Sequence, residues 1–288
     1  MSDADLAITH HKASIRGVTL HYVTAGSGDP VVLLHGWPQT WREWRRVIPP
    51  LAARYTVIAP DLRGFGDSDK TGEGYDKRTV AGDVRGLVEH LDLGPIHLVG
   101  HDLGMMVAYA YASAHPTDVR SLVVAEAGLP GLGLEAFFDT AEHPELWHFG
   151  FFRAPNNVAE SLIAGRERSF VSHFIRQQLY DPTSIPEADL DEYARRLASP
   201  GSLRASLAHY RAFATDAEHN REHARTRLPM PVLAIGGAFS VGGAVEAAMK
   251  PLARQVEGLT IERCGHYVAE ERPDVVVAEL LRFFDAAG

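Results

Sequence analysis

The sequence predicts an α/β protein in which helices cover both faces of a mostly parallel sheet. Short apolar runs suited to strands buried on both faces recur along the chain, as in VVLLH and PIHLVG. Segments with apolar residues at helical spacing separate these runs, and this alternation is typical of parallel sheets. The alternation stops near Gly128 and resumes at Met230, so we expect a helical insertion within the sheet domain.

The first half of the chain alternates regularly between predicted strands and helices. Two alternating segments around Gly17, residues 13–16 and 19–24, predict a hairpin. Continuous apolar runs predict buried strands at 31–35, 55–60, 95–100 and 119–125. Apolar spacing predicts helices at 41–54, 79–91 and 103–115, and Pro49-Pro50 interrupts the first of them. The many Gly and Asp residues of 61–69 predict a loop.

The second half contains the insertion and the end of the sheet. Pro155, Pro182, Pro186 and Pro200 divide the insertion into several short helices. The pattern after it predicts a strand at 230–237, a helix at 245–255, a strand at 259–264 and a last helix at 273–284. The predicted organisation is a core domain of residues 1–128 and 229–288, with a helical cap domain of residues 129–228 inserted after the sixth strand.

Composition favours a soluble cytoplasmic protein. The 288 residues carry a net charge of −9, which gives no electrostatic reason to bind nucleic acid or anionic lipid. No run of apolar residues is long enough for a transmembrane helix, and the polar N-terminus lacks the apolar stretch of a secretory signal. The single cysteine, Cys264, excludes an internal disulfide framework and is expected to be a small apolar residue at a strand end.

The segment GHDLG places Asp102 between a predicted strand and a predicted helix. Strand, then Gly-x-nucleophile-x-Gly, then helix is the pattern of a nucleophile elbow, with Asp102 where serine hydrolases carry Ser. Gly100 and Gly104 are needed because the turn is tight and leaves no room for a larger side chain. The alternative is an ordinary helix start with Asp102 as its N-cap.

Two further motifs follow strands and favour the elbow. HGWP, at the end of the strand at 31–35, offers a backbone N–H, that of Trp37, to form an oxyanion hole with the N–H of Leu103. CGHYVAEERP places His266 in the loop after the last strand, where the histidine of such a triad falls. Because the carboxyl ends of parallel strands meet at one edge of a sheet, these motifs are expected to lie together.

The segments HGWPQTWREW, APDLRGFGDSD, GHDLG and GHYVAEERP resemble the epoxide hydrolase and dehalogenase branch of the α/β-hydrolase superfamily. The resemblance extends from about Gly26 to Phe284. It implies an α/β-hydrolase fold, an aspartate nucleophile and a helical cap over the active site.

An aspartate suits attack on a saturated carbon. A serine would form an ether there, whereas a carboxylate forms an ester whose carbonyl carbon water can attack. His266 is the predicted base for that water, and it needs a carboxylate to hold its tautomer. The loop at 236–243 after the strand at 230–237 contains no acid, so Glu126, at the end of the preceding strand, is the predicted partner. The alternative is a strand-end glutamate that faces solvent.

The leaving group distinguishes an epoxide from a halide. An alkoxide leaves poorly without hydrogen-bond or proton donors. Leu103 stands where haloalkane dehalogenases carry Trp after the nucleophile. The following helix contains no Arg, which fluoroacetate dehalogenases use to hold a carboxylate. Three further motifs resemble those of the bacterial Cif-type epoxide hydrolases, namely WHFGFF, AEAGLP and HYRAF. This resemblance implies that His148 and Tyr210 support the ring oxygen. It also implies that the protein is a homodimer.

Several alternatives remain open. Tyr180 and Tyr193 are weaker candidates for the ring-opening donor, and the aromatic residues Trp147, Phe149, Phe151 and Phe152 line either an apolar pocket or the cap core. No metal or cofactor is expected, since nucleotide motifs and metalloprotease spacing are absent and His10-His11 is assigned to an N-terminal tail. The predicted reaction is epoxide hydrolysis to a diol, with water and a small-molecule epoxide as the reactants. The rival predictions are a haloalkane or haloacid dehalogenase and a binding protein without turnover.

Overall fold

A computed structural model describes residues 7–288 of the chain. Its centre is an eight-stranded sheet in the order β1-β2-β4-β3-β5-β6-β7-β8. The strands are β1 (Thr9–Ile15), β2 (Val18–Ala25), β3 (Asp29–Leu34), β4 (Tyr55–Pro60), β5 (Ile96–His101), β6 (Val119–Ala125), β7 (Leu228–Gly237) and β8 (Ala253–Ile261). Strand β2 pairs antiparallel with both β1 and β4, and β3 to β8 run parallel.

Helices surround the sheet and fill the segment between β6 and β7. The α-helices are α1 (Ile48–Ala52), α2 (Lys77–His90), α3 (Leu103–Ala114), α4 (His148–Phe152), α5 (Val158–Ile163), α6 (Glu167–Arg176), α7 (Glu187–Leu197), α8 (Ser202–Arg211), α9 (Phe213–His223), α10 (Ala244–Met249), α11 (Val268–Glu271) and α12 (Pro273–Ala287). Short 3₁₀ turns lie at Trp41–Arg46, Pro116–Asp118, Leu134–Phe138 and Pro144–Leu146. We call the helices α4 to α9 and the turns before them the helical insertion.

The two faces of the sheet form two separate hydrophobic cores. Along β3, Val31 and Leu33 join the core that contains α1 and α12, whereas Val32 and Leu34 join the core that contains α2 and α3. This alternation is the period of two that a strand imposes on its side chains. A strand covered on both faces therefore has an apolar residue at every position, which explains the continuous runs in the sequence.

Three local predictions are wrong. The predicted helix at 41–54 is a 3₁₀ turn followed by α1, because Pro49 and Pro50 fit the first turn of a new helix better than the interior of an old one. The predicted helix at 245–255 ends at Met249, and β8 begins at Ala253. Strand β8 lies at the sheet edge and is largely exposed, so it lacks the apolar run that would have shown its start.

The third correction concerns His10 and His11. They lie in β1, paired with β2, and not in a tail. Their hydrogen bonds are to His21 and Thr24, respectively, each at 2.9 Å.

Buried and partly buried ion pairs join the helical insertion to the sheet domain. Lys77, at the start of α2, contacts Asp216 of α9 at 3.0 Å through its ammonium group and at 2.6 Å through its backbone amide. Arg42 and Arg45, in the turn after β3, both pair with Asp189 of α7. The insertion is therefore anchored at two places beside the edge where β3, β5, β6 and β8 end. None of the helices in residues 7–288 combines the length and apolar character needed to cross a membrane.

Candidate active site

Asp102 occupies a strained turn between β5 and α3. Its φ is 49° and its ψ is −119°, a backbone conformation that L-residues rarely adopt. Its backbone N–H donates to the carbonyl of Ala125, 3.0 Å away at the end of the neighbouring strand β6. The side chain makes no capping bond to α3, which contradicts the N-cap alternative. Asp102 is partly exposed although His101 and Leu103 are fully buried.

The two glycines of the motif make this turn possible by close packing. A Cβ on Gly100 would lie 2.3 Å from the carbonyl oxygen of Gly104, and one on Gly104 would lie 2.3 Å from that of Leu34. Both distances are too short for any side chain. The elbow therefore packs directly against the end of β3, which carries the HGWP motif.

The HGWP loop holds one oxygen of the Asp102 carboxylate. The backbone N–H of Trp37 donates to Asp102 Oδ2 at 2.8 Å. Gly36 permits this approach, because a Cβ there would lie 2.6 Å from the Cβ of Asp102. Leu103 is the first residue of α3, and the N–H of a first helical residue has no acceptor inside its helix. Both predicted oxyanion donors thus flank the Asp102 side chain.

His266 and Glu126 meet at the same edge of the sheet. Nδ1 of His266 lies 3.1 Å from Glu126 Oε2, and the Glu126 side chain is fully buried, which contradicts the solvent-facing alternative. Glu126 has a φ of 63°, and its other oxygen accepts a hydrogen bond from the backbone N–H of Gly237. The last residue of β7 thus contributes a backbone donor that fixes Glu126. His266 itself remains partly exposed, as Asp102 does.

His148 and Tyr210 lie together in the helical insertion and are both buried. Their rings are 6.4 Å apart and nearly perpendicular. Burial lowers the pKa of His148 to about 3, with a further contribution from His266, so its imidazole is neutral at neutral pH. Burial also raises the pKa of Tyr210 well above its usual value, and the charge of Asp102 adds to this effect. The insertion therefore brings two neutral polar groups toward Asp102 and His266.

Aromatic rings surround these two groups. Phe152 packs against Trp37, with ring centroids 4.5 Å apart, and against Tyr210 at 5.0 Å. Phe149 lies 4.4 Å from His148, and Phe174 of α6 lies 4.7 Å from Trp37. Phe152 is fully buried, whereas Trp147, Phe149 and Phe151 are partly buried. The surroundings of His148 and Tyr210 are thus apolar, as a hydrophobic substrate requires.

Comparison with known proteins agrees with this geometry. The family model described as "alpha/beta hydrolase fold" matches residues 29–273. The chain belongs to this α/β-hydrolase family. It is 42% identical to a soluble epoxide hydrolase of Corynebacterium sp. (strain C12), over 96% of this chain and 97% of that protein. The solved structure of the epoxide hydrolase CorEH without ligand superposes with a TM-score of 0.92 at 41% identity, covering 98% of this chain and all of that one.

A dehalogenase is also among the relatives. The hydrolase is 30% identical to a fluoroacetate dehalogenase of Burkholderia sp., over 93% of this chain and 90% of that protein. The predicted fold and the predicted resemblance to epoxide hydrolases are confirmed. The finer resemblance to the Cif-type enzymes and the roles of individual residues stay predictions.

The two alternative tyrosines of the hydrolase have other surroundings than Tyr210. Tyr180 is 43% exposed and packs against Phe239 on the surface. Burial on α7 raises the pKa of Tyr193 well above its usual value, and the charge of Glu270 adds to this effect. Tyr210 is the tyrosine of the insertion whose pKa responds to Asp102.

The sequence analysis missed a buried ion pair directly behind the nucleophile. Nδ1 of His101 lies 3.1 Å from Oε1 of Glu43, and both side chains are almost completely buried. Although burial opposes the charge, the carboxylate of Glu43 raises the pKa of His101 to about 9, with help from Asp102 and Glu126. The only signal in the sequence was the position of His101 next to Asp102. Glu43 gave none, because it follows an arginine in a polar stretch that predicts an exposed helix face.

Within residues 7–288, two groups of side chains lie close enough to hold a cation, and both are outside this site. The groups are His21, Asp61 and Asp67, and Asp76, Asp216 and His219. Asp61 already accepts hydrogen bonds from His21 at 2.7 Å and from the Asp67 amide at 2.9 Å. Asp216 is paired with Lys77. The expectation that the hydrolase uses no metal or cofactor stays a prediction.

Proposed function

We propose that this chain is an epoxide hydrolase that forms and then hydrolyses an ester on Asp102. The observation that carries the proposal is that the partly exposed residue Asp102 follows β5 at the strand ends where Glu126 orients His266, and that its charge acts on the buried Tyr210, which lies beside His148. The 42% identity to a soluble epoxide hydrolase over almost the whole chain supports it.

The first step is ring opening. Trp37 N–H holds Oδ2 of Asp102, which leaves Oδ1 free to attack an epoxide carbon. The new C–O bond forms as the ring C–O bond breaks, and its electrons move to the epoxide oxygen. Tyr210 O–H and an imidazole N–H of His148 stabilise this alkoxide, and Tyr210 supplies its proton. Apolar surroundings strengthen both hydrogen bonds because little water competes for them.

The second step releases the diol. His266 takes a proton from water at Nε2 while Glu126 stabilises the resulting imidazolium through Nδ1. The hydroxide attacks the ester carbonyl carbon, and the N–H groups of Trp37 and Leu103 hold the oxyanion. Collapse breaks the bond between the carbonyl carbon and the alcohol oxygen, which takes up a proton from His266. The ring oxygen becomes one hydroxyl of the diol, and one oxygen of water remains in the Asp102 carboxyl group. The proton of this carboxyl group returns to the Tyr210 phenolate through water, which restores the Asp102 carboxylate and the Tyr210 hydroxyl.

Fluoroacetate dehalogenation is the second candidate, because a relative carries that name. A carboxylate substrate requires a cation near the nucleophile. Helix α3, LGMMVAYAYASA, contains no basic residue, and His148 and Tyr210 are themselves neutral. The imidazolium of His101 is paired with Glu43 and almost completely buried, so it cannot bind a substrate carboxylate. The site therefore favours an uncharged epoxide.

Intact-mass measurement with styrene oxide tests the two-step scheme. Asp102→Asn is expected to lose all turnover. His266→Gln is expected to gain the full mass of the epoxide, since addition expels no atoms and the ester persists. His90→Gln, an exposed histidine at the end of α2, is the matched control and should turn over normally without an adduct. Absence of the adduct in His266→Gln, or fluoride release from fluoroacetate without diol formation from epoxides, would overturn the proposal.

We also propose that residues 129–228 form a cap over this site and that the enzyme is a cytoplasmic homodimer. The anchoring of the insertion through Asp189 and Asp216 supports the cap, and the single cysteine is consistent with a reducing compartment. Analytical ultracentrifugation tests the dimer, and a single species of 31.5 kDa would contradict it.

A further inference from the structure

His101 contacts two acceptors at once. Its Nδ1 faces the Glu43 carboxylate at 3.1 Å, and its Nε2 donates to the backbone carbonyl oxygen of His266 at 2.8 Å. The Nδ1–Oε1 contact is at ion-pair distance but lacks the geometry of a hydrogen bond, and neither atom has another hydrogen-bond partner among residues 7–288. A carboxylate this close to a buried ring nitrogen stabilises the imidazolium, and although burial opposes the charge, Glu43 raises the pKa of His101 to about 9.

Glu43 has a second contact that extends this pair to the oxyanion loop. Its Oε2 accepts a hydrogen bond from the backbone N–H of Gly36 at 3.1 Å. Gly36 immediately precedes Trp37, whose N–H holds Asp102. One buried ion pair thus connects the loop before Trp37, the elbow that carries Asp102 and the loop that carries His266.

The other charged groups around His101 are consistent with a permanent positive charge. Asp102 and Glu126 raise its pKa together with Glu43. The rings of His266 and Tyr267 lie 4.7 and 6.2 Å from its own ring. Burial of an unpaired imidazolium would be costly, so Glu43 is the group that makes the charge tolerable.

We propose that Glu43 and His101 form a positioning pair that sets the His266 backbone and the Trp37 amide at the distances needed for ester hydrolysis. This inference rests on the proposed function. The pair touches neither the substrate nor the reacting atoms. It acts through His266, the base that works only in the second step, and through the Trp37 amide, which holds Asp102 in the first step and the oxyanion in the second. Loss of the pair should therefore slow ester hydrolysis more than ester formation.

Single-turnover rapid quench with styrene oxide measures the two steps separately. His101→Gln keeps an N–H donor but removes the charge, and Glu43→Gln removes the opposite charge. Misplacement of a catalytic group by about 1 Å costs up to roughly 100-fold, so each variant should slow ester hydrolysis by about 10- to 100-fold. Ester formation should change by less than about 3-fold, so that the ester accumulates. The double variant should lose little beyond the worse single one, because both act through one pair.

Asp83→Asn is the matched control. It breaks the buried Arg63–Asp83 ion pair, which lies in another part of the sheet domain. The control should lower stability and leave the ratio of the two rates unchanged. Glu43→Asp is the variant to measure if loss of a buried charge prevents folding. It keeps the charge but withdraws the carboxylate from Gly36 and His101, and ester hydrolysis should slow by about 3- to 10-fold.

The positioning role would be overturned if the Glu43 and His101 variants kept the normal ratio of the two rates, as Asp83→Asn is expected to do. Equal slowing of both steps and unchanged rates would each give this result. These outcomes leave the proposed function intact, because ester formation and hydrolysis by the unmodified enzyme are measured in the same experiment. Failure of the unmodified enzyme to form any ester would overturn the proposed function instead.

Discussion

Glu126→Gln is the substitution that most directly tests the proposed triad. The backbone N–H of Gly237 requires an acceptor, so the amide oxygen of the introduced side chain takes the place of Oε1. The amide NH₂ group then stands at the Oε2 position, 3.1 Å from Nδ1 of His266. Two donors facing each other repel, and the imidazole responds by moving its proton from Nδ1 to Nε2. In that tautomer Nε2 cannot accept a proton from water.

The magnitude follows from this tautomer change. In a triad that keeps its geometry but holds the wrong tautomer, kcat falls by about 10⁴, or roughly 5.5 kcal/mol of transition-state stabilisation. Only ester hydrolysis requires a base at Nε2. We therefore expect a loss approaching this size in the second step, whereas the rate of ester formation should stay within a few-fold of normal.

Rapid quench followed by intact-mass analysis gives both rates. The control is Glu262→Gln, an exposed acid between β8 and His266, which should behave as the unmodified enzyme does. If the Glu126→Gln enzyme hydrolyses its ester at the normal rate, Glu126 does not orient His266 and the proposed triad is wrong. A second result would refute the reasoning as well, namely an equal loss in both steps, because the substitution would then disturb the elbow itself.

Three further predictions follow from the same geometry. Gly104→Ala should lower the free energy of unfolding by about 1–3 kcal/mol in urea denaturation, because its Cβ would meet the carbonyl of Leu34. Gly94→Ala is the control, since its Cβ enters open space, and it should change this free energy by less than about 0.5 kcal/mol. The rise in the pKa of His101 from 6.5 to about 9 should contribute roughly 3 kcal/mol to the free energy of unfolding. This contribution is present below pH 6.5 and is lost between pH 6.5 and 9. Urea denaturation of His101→Gln should lack this pH dependence. Tyr210→Phe should slow ester formation in single-turnover assays by about 10²- to 10³-fold and leave ester hydrolysis nearly unchanged, and a loss confined to the second step would contradict its role as a ring-oxygen donor.

The fold was predictable because the central strands are buried on both faces. A strand such as β3 sends alternate side chains into two different cores, and each position must then be apolar. At the edge of the sheet this requirement disappears. Strand β8 has exposed residues along most of its length, and its sequence, ARQVEGLTI, gives no sign of where it begins.

Residues of the site were predictable where strand ends determine their position. Asp102, Glu126 and His266 each follow a strand of the parallel sheet, so their convergence follows from topology alone. Glu43 lies in a 3₁₀ turn whose polar sequence resembles an exposed surface. It becomes buried only because the elbow, the HGWP loop and α11 pack around that turn. Glu43 and His101 are far apart in the chain, and the pairing of two distant residues leaves no local pattern in a single sequence.

The two histidines nearest the reaction have opposite charge states, and the proposed mechanism depends on this difference. His101, behind Asp102, is held as an imidazolium by Glu43, whereas His148, in front of it, is kept neutral by burial and by its neighbour His266. A positive His148 would oppose the positive charge that His266 acquires in the second step. A neutral His148 offers an N–H to the developing alkoxide without competing for the nucleophile. Because a neutral imidazole N–H is a very weak acid, it stabilises the alkoxide by hydrogen bonding alone, and the proton itself comes from Tyr210.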